Sequence, residues 1–491
     1  MARAPPAGRQ RRSGGGAAGA GGRQRTPSAS HAQRTVRTPG GCVLTLIQLD
    51  PAATPARAMA DLARVQAWLE DGSLKHTLDP QTPNTVDLAR FIALANGAPR
   101  EELPAAGPAR PEAEAVLQRA IGAVAPHFLF VLLDGMGMNL LESTLPPTSF
   151  LRRHLVQPMH SVFPATTTAA LNSLASGVHP SSHGLPGWTI RTTSASTGAE
   201  LTATPLPFVE DVAGSFGSSL STAGVQPEEL FLAPPIYSLY RRPAFQVSAY
   251  AGTEFSDYST GWCPSSKPDS AADAMVTIAE RWKSQEHGEG SFTYWYNAEP
   301  DSSSHKFGWK SDNVTEELIA LDAALESLWA ETADLAADGG GGRTIVVTAD
   351  HGHLECHGDE TMLLGDHPED AALTDLLRCS PTVEPRTPGF HVADGSSAEA
   401  FAVAFRSSRF SEKFALLSAD EAEALEIFGP APMGDRCKRH IGDFVAIAAE
   451  SVVIMSKVAD MVGQHGGATP AEMQVPLIVA SDLKAASGAK L

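Results

Sequence analysis

Cysteine is scarce in this chain: five in 491 residues, at Cys42, Cys263, Cys356, Cys379 and Cys437. Their odd number and irregular spacing define no disulfide framework, and no Cys-x-x-Cys pair suggests a structural zinc. Basic charge is short as well. Lys and Arg number 37 against 56 Asp and Glu, a formal charge of −19. Nucleic-acid binding needs a basic face, so no nucleic-acid partner is expected. Long apolar runs are missing. The best candidate, Phe444 to Val462, is interrupted by Glu450, Lys457 and Asp460. It reads as a buried or surface helix, and no transmembrane segment is expected. No signal-peptide hydrophobic region follows the N-terminal basic residues, and no repeat at solenoid spacing is present.

What is present suits a large core. Hydrophobic residues make up 43%, enough for one large α/β domain or two to three smaller ones. Residues 1–58 stand apart: the first 49 hold eight arginines and no acidic residue. Such a segment cannot bury a core and is expected to be disordered. Two readings stay open, an organelle transit peptide or a start at Met59. The protein is expected to be soluble, organellar in the first case and cytoplasmic in the second. Residues 59–125 read as a helical lead-in and linker, with apolar positions at Leu62, Val65 and Leu69, then Leu88, Phe91, Ile92 and Leu94. A main domain over 126–485 follows. Its stretches near 189–290 and 354–464 read as inserts holding outer strands or cap elements.

Three apolar runs in that domain each end in a polar loop. His127 to Leu133 leads into Asp134-Gly-Met-Gly, Phe292 to Tyr296 into Asn297-Ala-Glu-Pro-Asp301, and Thr344 to Thr348 into Ala349-Asp350-His351-Gly352. Runs apolar on both faces read as central parallel strands. In open α/β sheets, ligands sit beyond the carboxyl ends of such strands. Between them Val314, Leu318, Leu321, Leu325 and Leu328 follow helical spacing and predict a helix packed on the sheet.

Taken singly, each loop has an ordinary explanation. Asp134-Gly is a common turn. Thr166, Thr167 and Thr168 precede an Ala/Leu-rich helix and could cap it. Asp301 and His305, at i and i+4, share one side of a helical turn but could be a cap and a surface residue. Asp-His-Gly at 350–352 is a short motif, and His465-Gly-Gly reads as a turn. Taken together they supply six N/O ligands and a hydroxyl: Asp134, Asp301, His305, Asp350, His351 and His465, with Thr167. That set suits two divalent cations beside a nucleophile. An acidic protein that handles phosphates needs such local positive charge.

The motifs and their order resemble the alkaline phosphatase superfamily. The phrases are Leu-Leu-Asp134-Gly-Met-Gly, Phe163-Pro-Ala-Thr-Thr167, Pro300-Asp301-Ser-Ser-Ser-His305, Thr348-Ala-Asp350-His351-Gly352 and His465-Gly-Gly with Glu472-Met473-x-Val-Pro476. Ser176-Gly177-Val-His-Pro180-Ser-Ser-His183-Gly184 is most similar to the nucleotide pyrophosphatase/phosphodiesterase branch. The resemblance implies an alkaline-phosphatase-like three-layer α/β sandwich with a mostly parallel central sheet, helices on both faces and a small cap. It implies two metal ions, Zn2+, one held by Asp134, Asp350 and His351 and activating Thr167, the other held by Asp301, His305 and His465. Spacing from Gly177 selects Thr167 over its neighbours. Animal members carry a phosphate-binding Asn soon after Ser-His-Gly; here the stretch is Leu185-Pro-Gly-Trp188, which leaves backbone N–H groups around Thr167 and Thr168 as candidate donors. The sulfatase signature Cys/Ser-x-Pro-x-Arg is absent.

The implied reaction is hydrolysis of phosphodiester or nucleotide pyrophosphate bonds in a small substrate, through a phosphothreonine at Thr167. A phosphomonoesterase would share every ligand, and an inactive metal-binding interaction protein is the reading from another class. Arg386, in Glu384-Pro-Arg386, reads as half of a surface ion pair. His357 and His391 read as solvent-facing, and His353 is left outside the site.

Overall fold

In the computed structural model, His127–Leu133 forms a strand buried along its whole length. The structure describes residues 32–37, 43–48, 56–212, 214–285, 290–337, 341–457 and 461–483. Most of the basic segment read above as disordered or as a transit peptide lies outside these residues; within it, Ala32–Arg37 and Val43–Gln48 pair antiparallel.

The central sheet has seven strands: β1 His127–Leu133, β2 Leu155–His160, β3 Ala244–Val247, β4 Ser265–Ser266, β5 Ser291–Asn297, β6 Arg343–Thr348 and β7 Gln474–Ser481. Their spatial order is β4-β3-β5-β1-β6-β7-β2. Neighbours from β4 to β6 are parallel, and β7 runs antiparallel to both β6 and β2. This is the mostly parallel sheet expected. All three apolar runs become adjacent parallel strands, because a sequence apolar on both faces is stable only where both faces are covered.

The covering helices are α1 Ala56–Asp71, α2 Thr85–Ala95, α3 Pro111–Ala120, α4 Thr167–Ser176, α5 Ala271–Lys283, α6 Asp301–Phe307 and α7 Asp312–Glu331. The predicted stripe Val314, Leu318, Leu321, Leu325 and Leu328 is the buried face of α7, whose start is capped by Ser311. Helix α5 packs with α7, and α2 with α4, completing a three-layer sandwich. Among the described residues, no helix is long and apolar enough to cross a membrane.

The stretch 189–290 holds outer strands and a cap. Strands β3 and β4 extend the central sheet, and Ile190–Thr193, Glu200–Thr204, Val209–Asp211 and Phe216–Ser219 make a separate antiparallel sheet. In 354–464, a second four-stranded sheet pairs Thr382–Glu384, Thr387–Phe390, Phe444–Ile447 and Ala415–Ser418. The helix expected from Phe444 is therefore corrected: Phe444–Ile447 and Val453–Met455 are strands. Their Val and Ile content favours extended backbone, where β-branched side chains are least restricted.

Arg386 is also corrected. Its side chain is fully buried, with Nε and Nη2 each donating at 3.0 Å to Glu472 and Nη1 donating at 2.6 Å to the carbonyls of Glu450 and Val452. Forked, fully satisfied pairing of this kind is what lets a guanidinium lie inside a protein. The pair ties the second sheet to the loop between His465 and β7. Arg386→Ala leaves the Glu472 carboxylate buried without its partner and is expected to destabilise the fold by about 3–5 kcal/mol. The thermal unfolding midpoint measures this; an unchanged midpoint would contradict it.

Candidate metal centre

Strand register sets the geometry. Leu132 of β1 pairs with Thr348 of β6, and Leu133 with Asn297 of β5, so the three parallel strands end level. Asp134, Asp350 and the Asp301-bearing turn thus leave the sheet at one edge. The Asp134 amide donates to Asn297 O and the Asp301 amide to Asp134 O, which fastens the two loops together. Helix α4 brings Thr167 to the same edge, and the loop before β7 brings His465.

All seven expected residues meet there. His351 Nε2 is 3.3 Å from Asp134 Oδ1 and 3.5 Å from Asp350 Oδ2. The Thr167 hydroxyl lies 3.2 Å from the same nitrogen. His305 Nε2 is 3.3 Å from Asp301 Oδ1 and 3.2 Å from His465 Nε2. The two groups adjoin, with the His351 and His465 rings stacked at a centroid distance of 3.6 Å.

The donor set fits cations. His305, His351 and His465 each direct Nδ1 at a backbone carbonyl, of Gly463, Gly352 and Ala165 respectively. A carbonyl only accepts, so each Nδ1 carries a proton and each Nε2 is turned to the cluster, where a cation would find its lone pair. Asp350 Oδ1 accepts from the Gly135 and His351 amides, both at 3.0 Å, and Asp134 Oδ2 accepts from the Tyr296 hydroxyl. The remaining oxygens, Asp134 Oδ1 and Asp350 Oδ2, are buried with no hydrogen-bond partner. Buried unpaired carboxylate oxygens are costly unless a positive charge joins them.

Proton affinities carry the same strain. Burial, then the charge of Asp301, pushes the Asp134 carboxyl well up; burial, then Asp134, does the same to Asp350. Burial also acts upward on Asp301, but His305, His353 and His465 together hold it well below the usual range. Burial and the neighbouring His351 push His465 well down. Two glycines make the approach possible. A Cβ on Gly135, at φ +73°, would lie 2.7 Å from His353 Nε2, and one on Gly352 would lie 2.1 Å from Ala471 O.

The three threonines part company. Thr166 donates its hydroxyl to Glu384, the Thr168 hydroxyl is buried without a partner, and Thr167 faces the cluster. Thr167 also lines a cavity of about 460 Å³ walled by Trp188, Leu206, Tyr250, Phe255 and Tyr296.

Three residues at this edge lay outside the expected set. His353 Nε2 is 2.8 Å from Asp301 Oδ1, and facing a carboxylate it carries the proton, so it holds Asp301 rather than offering a lone pair. Its place two residues after His351 in an extended loop was the available signal, since alternate residues point to the same side. Tyr296 is the penultimate residue of β5, two residues after buried Tyr294. Glu384 is buried, and that burial raises its carboxyl to about 7. It comes from the second sheet, which has no sequence spacing to the strands. His357 is exposed, as expected. His391 is not: it directly follows the strand Thr387–Phe390 and is buried, 2.9 Å from the Thr382 hydroxyl.

The sequence profile of the type I phosphodiesterase / nucleotide pyrophosphatase family matches residues 128–468. None of the curated protein sequences compared matches the chain. Among solved structures, murine ectonucleotide pyrophosphatase/phosphodiesterase 5 superposes with a TM-score of 0.53 at 16% identity, over 72% of this chain and 87% of that one. The human counterpart gives 0.54 with the same identity and coverage. An inactive variant of the murine protein in complex with AMP gives 0.52, again at 16% identity, 72% and 87%. At this identity the likeness is one of fold.

Metal-free protein titrated with Zn2+ is expected to bind two equivalents per chain. Free ion at about a hundred times its dissociation constant should stabilise the fold by about 2.7 kcal/mol for each site filled, reversed by chelator. Calorimetry and thermal melting check this; a melting curve indifferent to both metal and chelator would count against a cation site.

Proposed function

Because the chain belongs to the type I phosphodiesterase / nucleotide pyrophosphatase family of hydrolases, we propose that it cleaves phosphodiester or nucleotide pyrophosphate bonds of small substrates, with Thr167 as nucleophile and two Zn2+ ions. Asp134, Asp350 and His351 would hold one ion beside Thr167, and Asp301, His305 and His465 the other. The observation that carries the reading is the single cluster in which the Thr167 hydroxyl, three imidazole nitrogens and two unpaired carboxylate oxygens converge from five separate loops.

Two cations bound there supply the positive charge that ionises a hydroxyl near neutral pH and neutralises phosphoryl oxygens. The chain's own groups do the rest. Thr167 Oγ1 forms a bond to phosphorus as the bond to the leaving oxygen breaks in line, giving a phosphothreonine and releasing an alcohol or nucleotide. Water then attacks phosphorus from the opposite face, the bond from phosphorus to Oγ1 breaks, a phosphate monoester that keeps the substrate's second substituent leaves, and Oγ1 regains its proton. Thr167 opens α4, where first-turn amides and the helix dipole favour an anion. Tyr250, Phe255, Tyr296 and Trp188 offer flat apolar walls to the part of the substrate that does not react. A nucleoside suits such walls, in keeping with the AMP bound by the inactive murine relative.

Thr167→Ala is expected to lower turnover by about a thousandfold or more while leaving fold and metal content intact. A chromogenic bis(nitrophenyl) phosphate should be cleaved faster than nitrophenyl phosphate. Near-normal activity in Thr167→Ala would remove the mechanism, and preference for the monoester would remove the diester assignment.

A further inference from the structure

Glu384 is a buried carboxylate with no part in the steps above. It ends the strand Thr382–Glu384, and its Oε1 accepts two hydrogen bonds, from the Thr166 hydroxyl at 2.5 Å and from the Trp188 amide at 2.7 Å. Thr166 is the residue before α4, with extended backbone at φ −143° and ψ 150°. In that conformation a threonine hydroxyl ordinarily bonds the amide of the second or third helical residue. Ser149, Ser270, Ser311 and Ser397 do this at their own helices. Thr166 makes no such bond; its hydroxyl is turned to Glu384 instead.

The strand bearing Glu384 is firmly held. Val383 sits at φ +70°, a region that β-branched residues rarely enter. It exchanges two backbone hydrogen bonds with Thr189, at 2.8 and 3.3 Å. Thr387 donates to Gly466 O at 2.6 Å, and Gly466 has no room for a Cβ, which would lie 2.7 Å from Glu384 Cγ. Strained backbone persists where its surroundings over-determine it, and such sites cluster around function.

We infer that Glu384 is a positioning residue: it keeps the Thr166 hydroxyl away from the start of α4, so that the amides of Thr168 and Ala169 stay available to a phosphate oxygen. The inference rests on the reading of Thr167 as nucleophile toward a bound phosphoryl group. It makes the carboxylate a competitor for the cap, acting on the helix start through Thr166 without touching substrate.

The test measures binding of inorganic phosphate to the metal-loaded full chain by calorimetry, which requires no turnover. In Glu384→Ala the freed hydroxyl caps the helix, and phosphate binds about tenfold more weakly, the scale of one lost hydrogen bond to a charged group. Glu384→Gln keeps an acceptor oxygen and binds as the unaltered protein does. Adding Thr166→Val to Glu384→Ala removes the competing hydroxyl and restores affinity, a coupling that simple loosening of the fold would not produce. If Glu384→Ala does not fold, Glu384→Asp replaces it, with the carboxylate withdrawn by one methylene and the same loss expected. Unchanged binding in the alanine or aspartate variant, equal loss in Glu384→Gln, no recovery in the double variant, or no phosphate binding by the unaltered protein overturns the inference. Phosphate binding without hydrolysis of any ester overturns the proposed function and leaves the role of Glu384 standing.

Discussion

Three carboxylates and three imidazoles share one buried edge of the sheet, and most local features follow from keeping them there. Like charges a few ångströms apart in a dry site repel, so at most some of these carboxylates can be ionised without added positive charge. Asp134 and Asp350 are pushed up and Asp301 down. The arrangement is tolerated because each group has one anchored side. Backbone carbonyls hold the imidazoles, amides hold Asp350, and the phenol of Tyr296 holds Asp134. What is left unpaired points inward. That division between anchored and free atoms distinguishes a site awaiting cations from a chance collection of polar residues.

Rigid elements carry this edge. Asp134 and Asp350 follow buried strands whose register leaves little freedom, and Gly135 and Gly352 let the two loops pass within contact of their neighbours. The hairpin Thr382–Phe390 then ties the remaining loops together. Glu384 reaches Thr166 and Trp188, Thr387 reaches Gly466, and Arg386 reaches Glu472 beside β7. A small antiparallel sheet far along the chain therefore braces the start of α4 and the His465 loop at once.

This explains which parts of the molecule were legible in the sequence. Strands β1, β5 and β6 announce themselves because burial on both faces demands unbroken apolar runs, and α7 because one buried face imposes a 3.6-residue period. The seven site residues were legible because cation chemistry restricts residue type and the motifs kept their order. The hairpin was not. Arg386 is a surface residue by every local criterion, and only the distant Glu472 makes its burial tolerable. The strand at Phe444 was misread for the same reason, since its partners Phe390 and Ser418 lie tens of residues away and pairing in antiparallel sheets leaves a weak local trace. His353 shows a subtler limit: its neighbours in sequence mark it as part of the metal loop, but only the direction of its Nε2 toward Asp301 separates a supporting residue from a ligand.

The division also bears on how such a protein can vary. Groups that hold charge sit at strand ends, where backbone position is set by the core and small changes are expensive. Apart from Tyr296 of β5, the cavity walls come from elsewhere: Trp188 and Leu206 flank strands of the 190–219 sheet, and Tyr250 and Phe255 follow the short strand β3. Phe255 belongs to the same hydrophobic core as the central strands and Leu206 packs against it, so walls and strands share one core. The candidate cation site and most of the cavity walls nonetheless come from different parts of the chain. Glu384 is an exception to that separation, because one of its oxygens binds both the threonine before the helix and the amide of a wall residue. A change in the Trp188 loop therefore reaches the start of α4 through that carboxylate, and the two parts are coupled at a single atom.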